Sequence, residues 1–261
     1  MNRWFTLSGI LVKKAYRAYS LRVAMARGEL SSSLRKSMMA GPQSATAARD
    51  AFIRSRLASA LAIFPLGAWT VVHLYDNLSA FSGARPWQAA VTEYPHPVAQ
   101  AMTGVVVLLP LALHSAWGIG RLFTVRPNNL AYAFYGNLKF LLQRVTAVGV
   151  LLFLGAHLWL ALLKPRFTEG HAEAFEDIAQ QMHVHTPTLI TYLLGTLGVA
   201  YHLANGAQTF CMGWGVVTSQ KALRRLEVGV LVFFVVLLAM GWAAIYALWA
   251  AGGALAAESV T

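Results

Sequence analysis

Four of the eight histidines in this 261-residue chain, His73, His114, His157 and His202, lie inside long apolar runs, one to a run. The other four, His96, His171, His183 and His185, fall in the polar segments between runs. Imidazole is both a metal ligand and an ionisable group, and such a group among apolar residues carries a presumption of function. The stretch GVAYHLANGAQTFCMGWG, residues 198–215, sharpens the point. It contains no Asp, Glu, Lys or Arg, yet His202 stands in it with Gly198 and Gly206 one turn to either side. A lone histidine of this kind is often a hydrogen-bonded contact between helices. Four of them, one per run, ask for a common explanation.

The runs define what surrounds these imidazoles. The chain is 57% hydrophobic and only 12% charged, with mean hydropathy +0.53, where a soluble domain carries about a quarter charged residues. One cysteine, Cys211, excludes a disulfide framework and a CxxCH attachment site. Five segments supply the roughly 20 mostly apolar residues a membrane span needs: Leu57–Tyr75, Pro97–Gly120, Val145–Leu163, about Leu189–Val217, and Val228–Ala250. They are continuous rather than alternating, so they read as helices and not barrel strands. The expected fold is all-α, a polytopic membrane bundle of five transmembrane helices over residues 54–251. An extension at 1–53 precedes it and a short outer-face tail at 252–261 follows.

Orientation follows from the basic residues. Eighteen of them fall before the first span, between the second and third, or between the fourth and fifth. The opposite side has only Arg85, Lys164 and Arg166. By the positive-inside rule the N-terminus is cytoplasmic and the C-terminus outside, which places the chain in a bacterial cytoplasmic membrane. The net charge of +11 is thus a topology signal and not a nucleic-acid footprint. Near the N-terminus, Trp4, Leu7, Leu11 and Ala15 repeat at helical spacing with Lys13, Lys14, Arg17 and Arg22 mostly off that face. This reads as an amphipathic helix on the inner membrane surface rather than a signal peptide. The Ser-, Ala- and Gly-rich stretch GELSSSLRKSMMAGPQSATAA that follows reads as a linker.

Depth sorts the membrane histidines. At 1.5 Å per residue, His73 and His157 lie roughly 25 and 20 Å along the two outward-running helices, toward the outer face. His114 and His202 lie roughly 25 and 20 Å along the two inward-running helices, toward the inner face. Two layers of two result: His73 with His157 outside, His114 with His202 inside. Two imidazoles at one depth are what a six-coordinate b-type haem requires, and with no open coordination position such a haem favours electron transfer over oxygen chemistry. The sequence therefore points to two b haems among the first four helices, with Gly198, Gly206 and Gly118 as clearance for a macrocycle or as plain helix-packing residues. Arg56 and Arg144, at the inner ends of the first and third spans, are candidate partners for haem propionates or interface anchors. Asn77 and Asn205, one turn beyond His73 and His202, are placed to orient a ligand or to bond across helices. His171, His183 and His185 read as solvated loop residues, and His96, in TEYPHP, as part of an outer-face site.

The segments RLASALAIFPLGAWTVVHLYDN, LALHSAWGI, NLKFLLQRVTAVGVLLFLGAHLWLAL and GVAYHLANGAQTFCMGWGVVTS together resemble the cytochrome b membrane subunit of succinate dehydrogenase and fumarate reductase, in its five-helix, two-haem form. The resemblance runs from about Arg54 to Ala250 and takes in all four membrane histidines. It implies a flavoprotein and an iron–sulfur partner on the cytoplasmic face and electron passage through the inner and then the outer haem. It also implies a quinone, commonly menaquinone, toward the outer face. Asp76, Glu93 and His96 are then the polar outer groups available to exchange its protons. Two features depart from the family pattern: the N-terminal extension is long, and Ala200 stands where some quinol:fumarate reductases have an acidic residue, which leans toward succinate oxidation. Rival readings are a b561-like or nitrate-reductase-type di-haem carrier, and a haem-free transporter or scaffold. Broken helices and inverted repeats, the usual marks of a transporter, are not evident.

Overall fold

The computed structural model describes residues 42–93, 101–124 and 134–258. The expected amphipathic helix around Trp4 and the candidate residue His96 lie outside them. The chain divides between Arg54 and Ser55 into two compact units. Helix α1 (Pro42–Leu61) begins in the first and ends in the second. The helix starts within the stretch expected to be a linker, with Pro42 at its first position. Proline there loses no helical hydrogen bond, and the alanines that follow favour the helix.

From Ser55 onward every described segment of regular structure is helical. α1 leads through a wide turn, Ala62–Gly67, into α2 (Ala68–Asn77). Phe64 leaves helical geometry there, with φ −121° and ψ 105°, as the residue before a proline is pushed to do. The bend sets Gly67 against Leu203, where an added Cβ would stand 2.9 Å from the leucine methyl. A short 3-10 turn (Leu78–Ser82) and α3 (Ala84–Val91) follow. α4 (Leu109–Thr124) is preceded by another wide turn, Gly104–Leu108, just ahead of Pro110. α5 (Tyr135–Leu158) runs on through Trp159–Leu163 and Pro165–Glu169. α6 (Phe175–Val184), α7 (Thr186–Gly213) and α8 (Gln220–Glu258) complete the chain. α8 carries the helix to Glu258, beyond the expected start of the tail at 252.

Among the described residues, four helical stretches are long and apolar enough to cross a membrane: Arg49–Ser82, Ala101–Phe123, Tyr135–Glu169 and Gln220–Glu258. Their outward faces carry exposed Val72, Val105, Leu152, Val232 and Val235 among others, the surface lipid rather than water would cover. α7 has the length to cross, about 42 Å, but Thr188, Thr196, Asn205 and Gln208 make it more polar, and all four are buried.

α3 and α6 stand outside the five expected spans and build the core at one end of the bundle. Phe175, Ile178, Ala179 and Met182, a helical stripe along α6, pack with Trp87 of α3, Tyr192 of α7, and Ile245 and Leu248 of α8. The fit is close: a Cβ on Gly252 would run into the Ala179 backbone. α6 carries Glu176 and Asp177 in its first turn, where the helix dipole favours them.

Candidate functional site

The four membrane histidines meet in two pairs. The rings of His73 (α2) and His157 (α5) have centroids 6.0 Å apart at an interplanar angle of 63°. Those of His114 (α4) and His202 (α7) are 6.3 Å apart at 72°. Two imidazoles bonded at about 2.0–2.1 Å to opposite faces of one metal have centroids about 6 Å apart. All four histidines line one cavity of about 950 Å³, at the upper end of the range for small-molecule sites. The helices set the distance between pairs. Gln143, fourteen residues before His157 on α5, touches His202, which separates the pairs by about 21 Å along that helix.

Each pair has its own polar support. His157 Nδ1 is 3.2 Å from the Tyr192 hydroxyl, and Phe153 stacks on its ring at 5.6 Å. Donation of the Nδ1 hydrogen to that oxygen leaves Nε2 with its lone pair toward the cavity. His73 is stacked on Trp69 at 4.6 Å. Asn77 donates to the His73 carbonyl at 2.8 Å and accepts from the Trp87 indole at 3.2 Å. In the second pair, the Gln143 amide donates to the His202 carbonyl at 3.2 Å and lies 3.2 Å from His202 Nδ1. Asn205 acts one step back, donating to Gln143 Oε1 at 2.8 Å.

The cavity end beside His114 and His202 is cationic. Arg121, Lys139 and Arg144 line it. Lys139 Nζ donates to Gln208 at 3.1 Å and pairs with Glu227 at 3.2 Å. Arg144 lies over the Phe140 ring at 3.6 Å. Arg56 is not among the lining residues; its guanidinium packs against Gly213 of α7. The glycines flanking His202 part company. Gly206 and Gly118 line the cavity, whereas Gly198 faces Val150 on α5 as a helix contact.

At this end the buried Arg144 Nε has no hydrogen-bond partner. An unsatisfied buried donor or acceptor costs about 1–3 kcal/mol. A planar prosthetic group carrying carboxylates, bound between the imidazoles, would give Arg144 Nε an acceptor, so the donor set fits a haem.

At the end beside His73 and His157, Asp76 is half-buried and Glu93 is exposed. Glu173, which the sequence does not single out, is buried there at 5% exposure. Burial pushes its carboxyl up to about 8, reinforced by Asp177 and Glu169 and opposed by Lys164 and Arg166. The other histidines have local partners: His183 with the Trp249 carbonyl, His185 with Thr188, and His171 beside Glu169. Among the described residues no cluster of three His, Cys, Asp or Glu gathers to hold a metal ion.

Comparison with known proteins adds to this geometry. Residues 125–243 match the family described as succinate dehydrogenase/fumarate reductase transmembrane subunit. The succinate dehydrogenase cytochrome b558 subunit of Bacillus subtilis (strain 168) is 30% identical over 200 residues, 76% of this chain and 97% of that protein. The chain belongs to this family of membrane cytochrome b subunits. Within the cytochrome b subunit, the matched region takes in α5 and α7 and so His157, His202, Gln143 and Tyr192. Of these, Gln143 and Tyr192 give no sign in the sequence beyond being polar groups in apolar runs.

Proposed function

We propose that this subunit anchors a succinate dehydrogenase or fumarate reductase to the bacterial cytoplasmic membrane and conducts electrons between an iron–sulfur partner and menaquinone. In this reading α7 crosses the membrane as the fourth of five spans. His114 and His202 hold one b haem toward the cytoplasm, and His73 and His157 hold a second toward the outer face. The flavoprotein and iron–sulfur subunits dock on the cytoplasmic side, and the quinone is reduced near the outer pair, with Asp76, Glu93 and His96 as polar groups at that face. The observation that carries the reading is the pairing of four imidazoles, at 6.0 and 6.3 Å, in one cavity.

Haem b held by these histidines would supply a one-electron couple. The protein's own residues do the rest. Tyr192, 3.2 Å from His157 Nδ1, would accept the Nδ1 hydrogen and so leave Nε2 to hold iron. Gln143, backed by Asn205, restrains the His202 ring. Arg144, with Arg121 and Lys139 beside it, offers cationic hydrogen-bond donors to propionates. Leu66, Val107, Leu111 and Leu154 line the cavity and keep water away.

The test is a reduced-minus-oxidised spectrum of the purified protein with redox titration. Two b-type components are expected in the wild type. His202→Ala should remove one and leave the other, and His157→Ala should remove the second. A single component, or loss of both in either variant, would refute the pairing.

A further inference from the structure

We propose that Glu173 is the proton-carrying carboxyl for quinone reduction at the His73/His157 end of the cavity. This rests on the reading above, that a quinone is reduced there.

Glu173 sits in the turn between the α5 extension and α6, and two lines of contact join its surroundings to the two histidines. On one side its carboxyl is in electrostatic reach of Tyr192, whose hydroxyl meets His157 Nδ1. On the other, Phe175 packs edge-on against Trp87 at 5.7 Å. Trp87 bonds Asn77, and Asn77 bonds the His73 carbonyl. Glu173 thus lies at the same end of the bundle as the pair, in electrostatic reach of Tyr192, which lines the cavity where Glu173 does not. Among the described residues it is the one acidic side chain with under a tenth of its surface exposed. Glu93, by contrast, is already in water. The turn opens directly onto solvent: His171 is exposed, and Glu169, paired with Lys164 at 3.2 Å, lies 3.9 Å from it. A buried carboxyl with a wet rim on one side and a redox centre on the other is placed to pass protons.

The chemistry balances without a further reactant. The quinone gains two electrons, which originate in succinate and arrive through the paired-histidine centres. Each carbonyl oxygen gains one proton. The Glu173 O–H bond breaks as a quinone O–H bond forms, leaving a carboxylate that water at the Glu169/His171 rim reprotonates. The second proton comes from the same aqueous side. In the reverse direction the carboxylate accepts a quinol proton.

The charges acting on Glu173 are Lys164, Arg166 and Glu169 from the α5 extension and Asp177 from α6, with the neutral Tyr192 hydroxyl of α7 in reach. Their sum with burial leaves the carboxyl protonated at neutral pH and deprotonated above about 8. The donor is therefore present below that pH and lost above it.

The experiment uses the complete complex in detergent, with succinate as donor and a water-soluble naphthoquinone as acceptor, assayed from pH 6 to 9. Haem content and haem reduction by succinate are read on the same samples. The wild-type rate should fall as pH rises through about 8. Glu173→Gln should keep both haem signals, lose at least about tenfold in quinone reduction, and lose the fall near pH 8. Glu173→Asp should restore part of the rate and move the pH midpoint. An unchanged rate and profile in Glu173→Gln with haem intact would overturn the proposal. Should that variant lose haem, an unmoved midpoint in Glu173→Asp overturns it instead. If the wild-type complex retains both haem signals and does not reduce the naphthoquinone, the underlying reading falls and the proposal with it.

Discussion

At the scale of single residues, the two ends of the cavity differ in what stands behind the histidine. His157 faces a phenol hydroxyl, and His202 faces an amide that is itself held by Asn205. Hydrogen-bond donation from Nδ1 makes the imidazole a stronger electron donor and so stabilises the oxidised iron. Removing the acceptor from one side should therefore move one centre alone. In Tyr192→Phe the hydroxyl is lost while Phe153 still packs beside the ring. The midpoint potential of the His73/His157 centre should rise by roughly 20–60 mV, from about 0.5–1.5 kcal/mol for the bond and 59 mV per tenfold change. The other centre should not move. Potentiometric titration of the two spectral components decides it, and equal shifts in both would contradict the asymmetry. The histidines themselves were legible because an imidazole in an apolar run is rare. Tyr192 and Gln143 were not, since a phenol near a helix start reads as an interface aromatic and a glutamine beside Arg144 reads as part of the polar border. Glu173, in the acidic string HAEAFED, looks solvated until tertiary packing covers it.

At the scale of elements, the end beside His73 and His157 is held by α6 lying against α8, and the glycines of α8 let it come close. A Cβ on Gly252 meets backbone atoms of Ala179, which have nowhere to go, whereas one on Gly253 meets only the His183 ring. Gly252→Ala should destabilise the protein by about 1–3 kcal/mol through overpacking, and Gly253→Ala should cost less because the imidazole can swing aside. Thermal unfolding in detergent micelles ranks the two; equal midpoints would show that α6 tolerates displacement. α6 was readable in principle, since Phe175, Ile178, Ala179 and Met182 follow helical spacing. It is only ten residues long, too short to register against the membrane runs on either side. The wide turns at Pro65 and Pro110 follow from proline chemistry. The partner each bend meets, as Gly67 meets Leu203, depends on how the helices assemble.

At the scale of the whole molecule, the number of spans turns on α7. Mean hydropathy sums over all faces of a helix, so a helix with polar residues turned inward scores low even when its outer face suits lipid. α7 has that character: Thr188, Thr196, Asn205 and Gln208 are buried, while Ile190, Leu194 and Met212 are exposed. The polar groups that lower its apolar score are those that meet α5, Asn205 through Gln143 and Gln208 through Lys139. A helix built this way spans as part of a bundle rather than alone. With α7 across, Lys221 lies on the cytoplasmic side and Glu93 and Glu258 lie outside. Single cysteines placed at these three positions, in a background with Cys211 replaced by serine, should divide accordingly. A membrane-impermeant thiol reagent added to intact spheroplasts should label positions 93 and 258 and spare 221 until the membrane is opened. Labelling of 93 and 221 with 258 spared would place α7 on the membrane surface and reduce the spans to four.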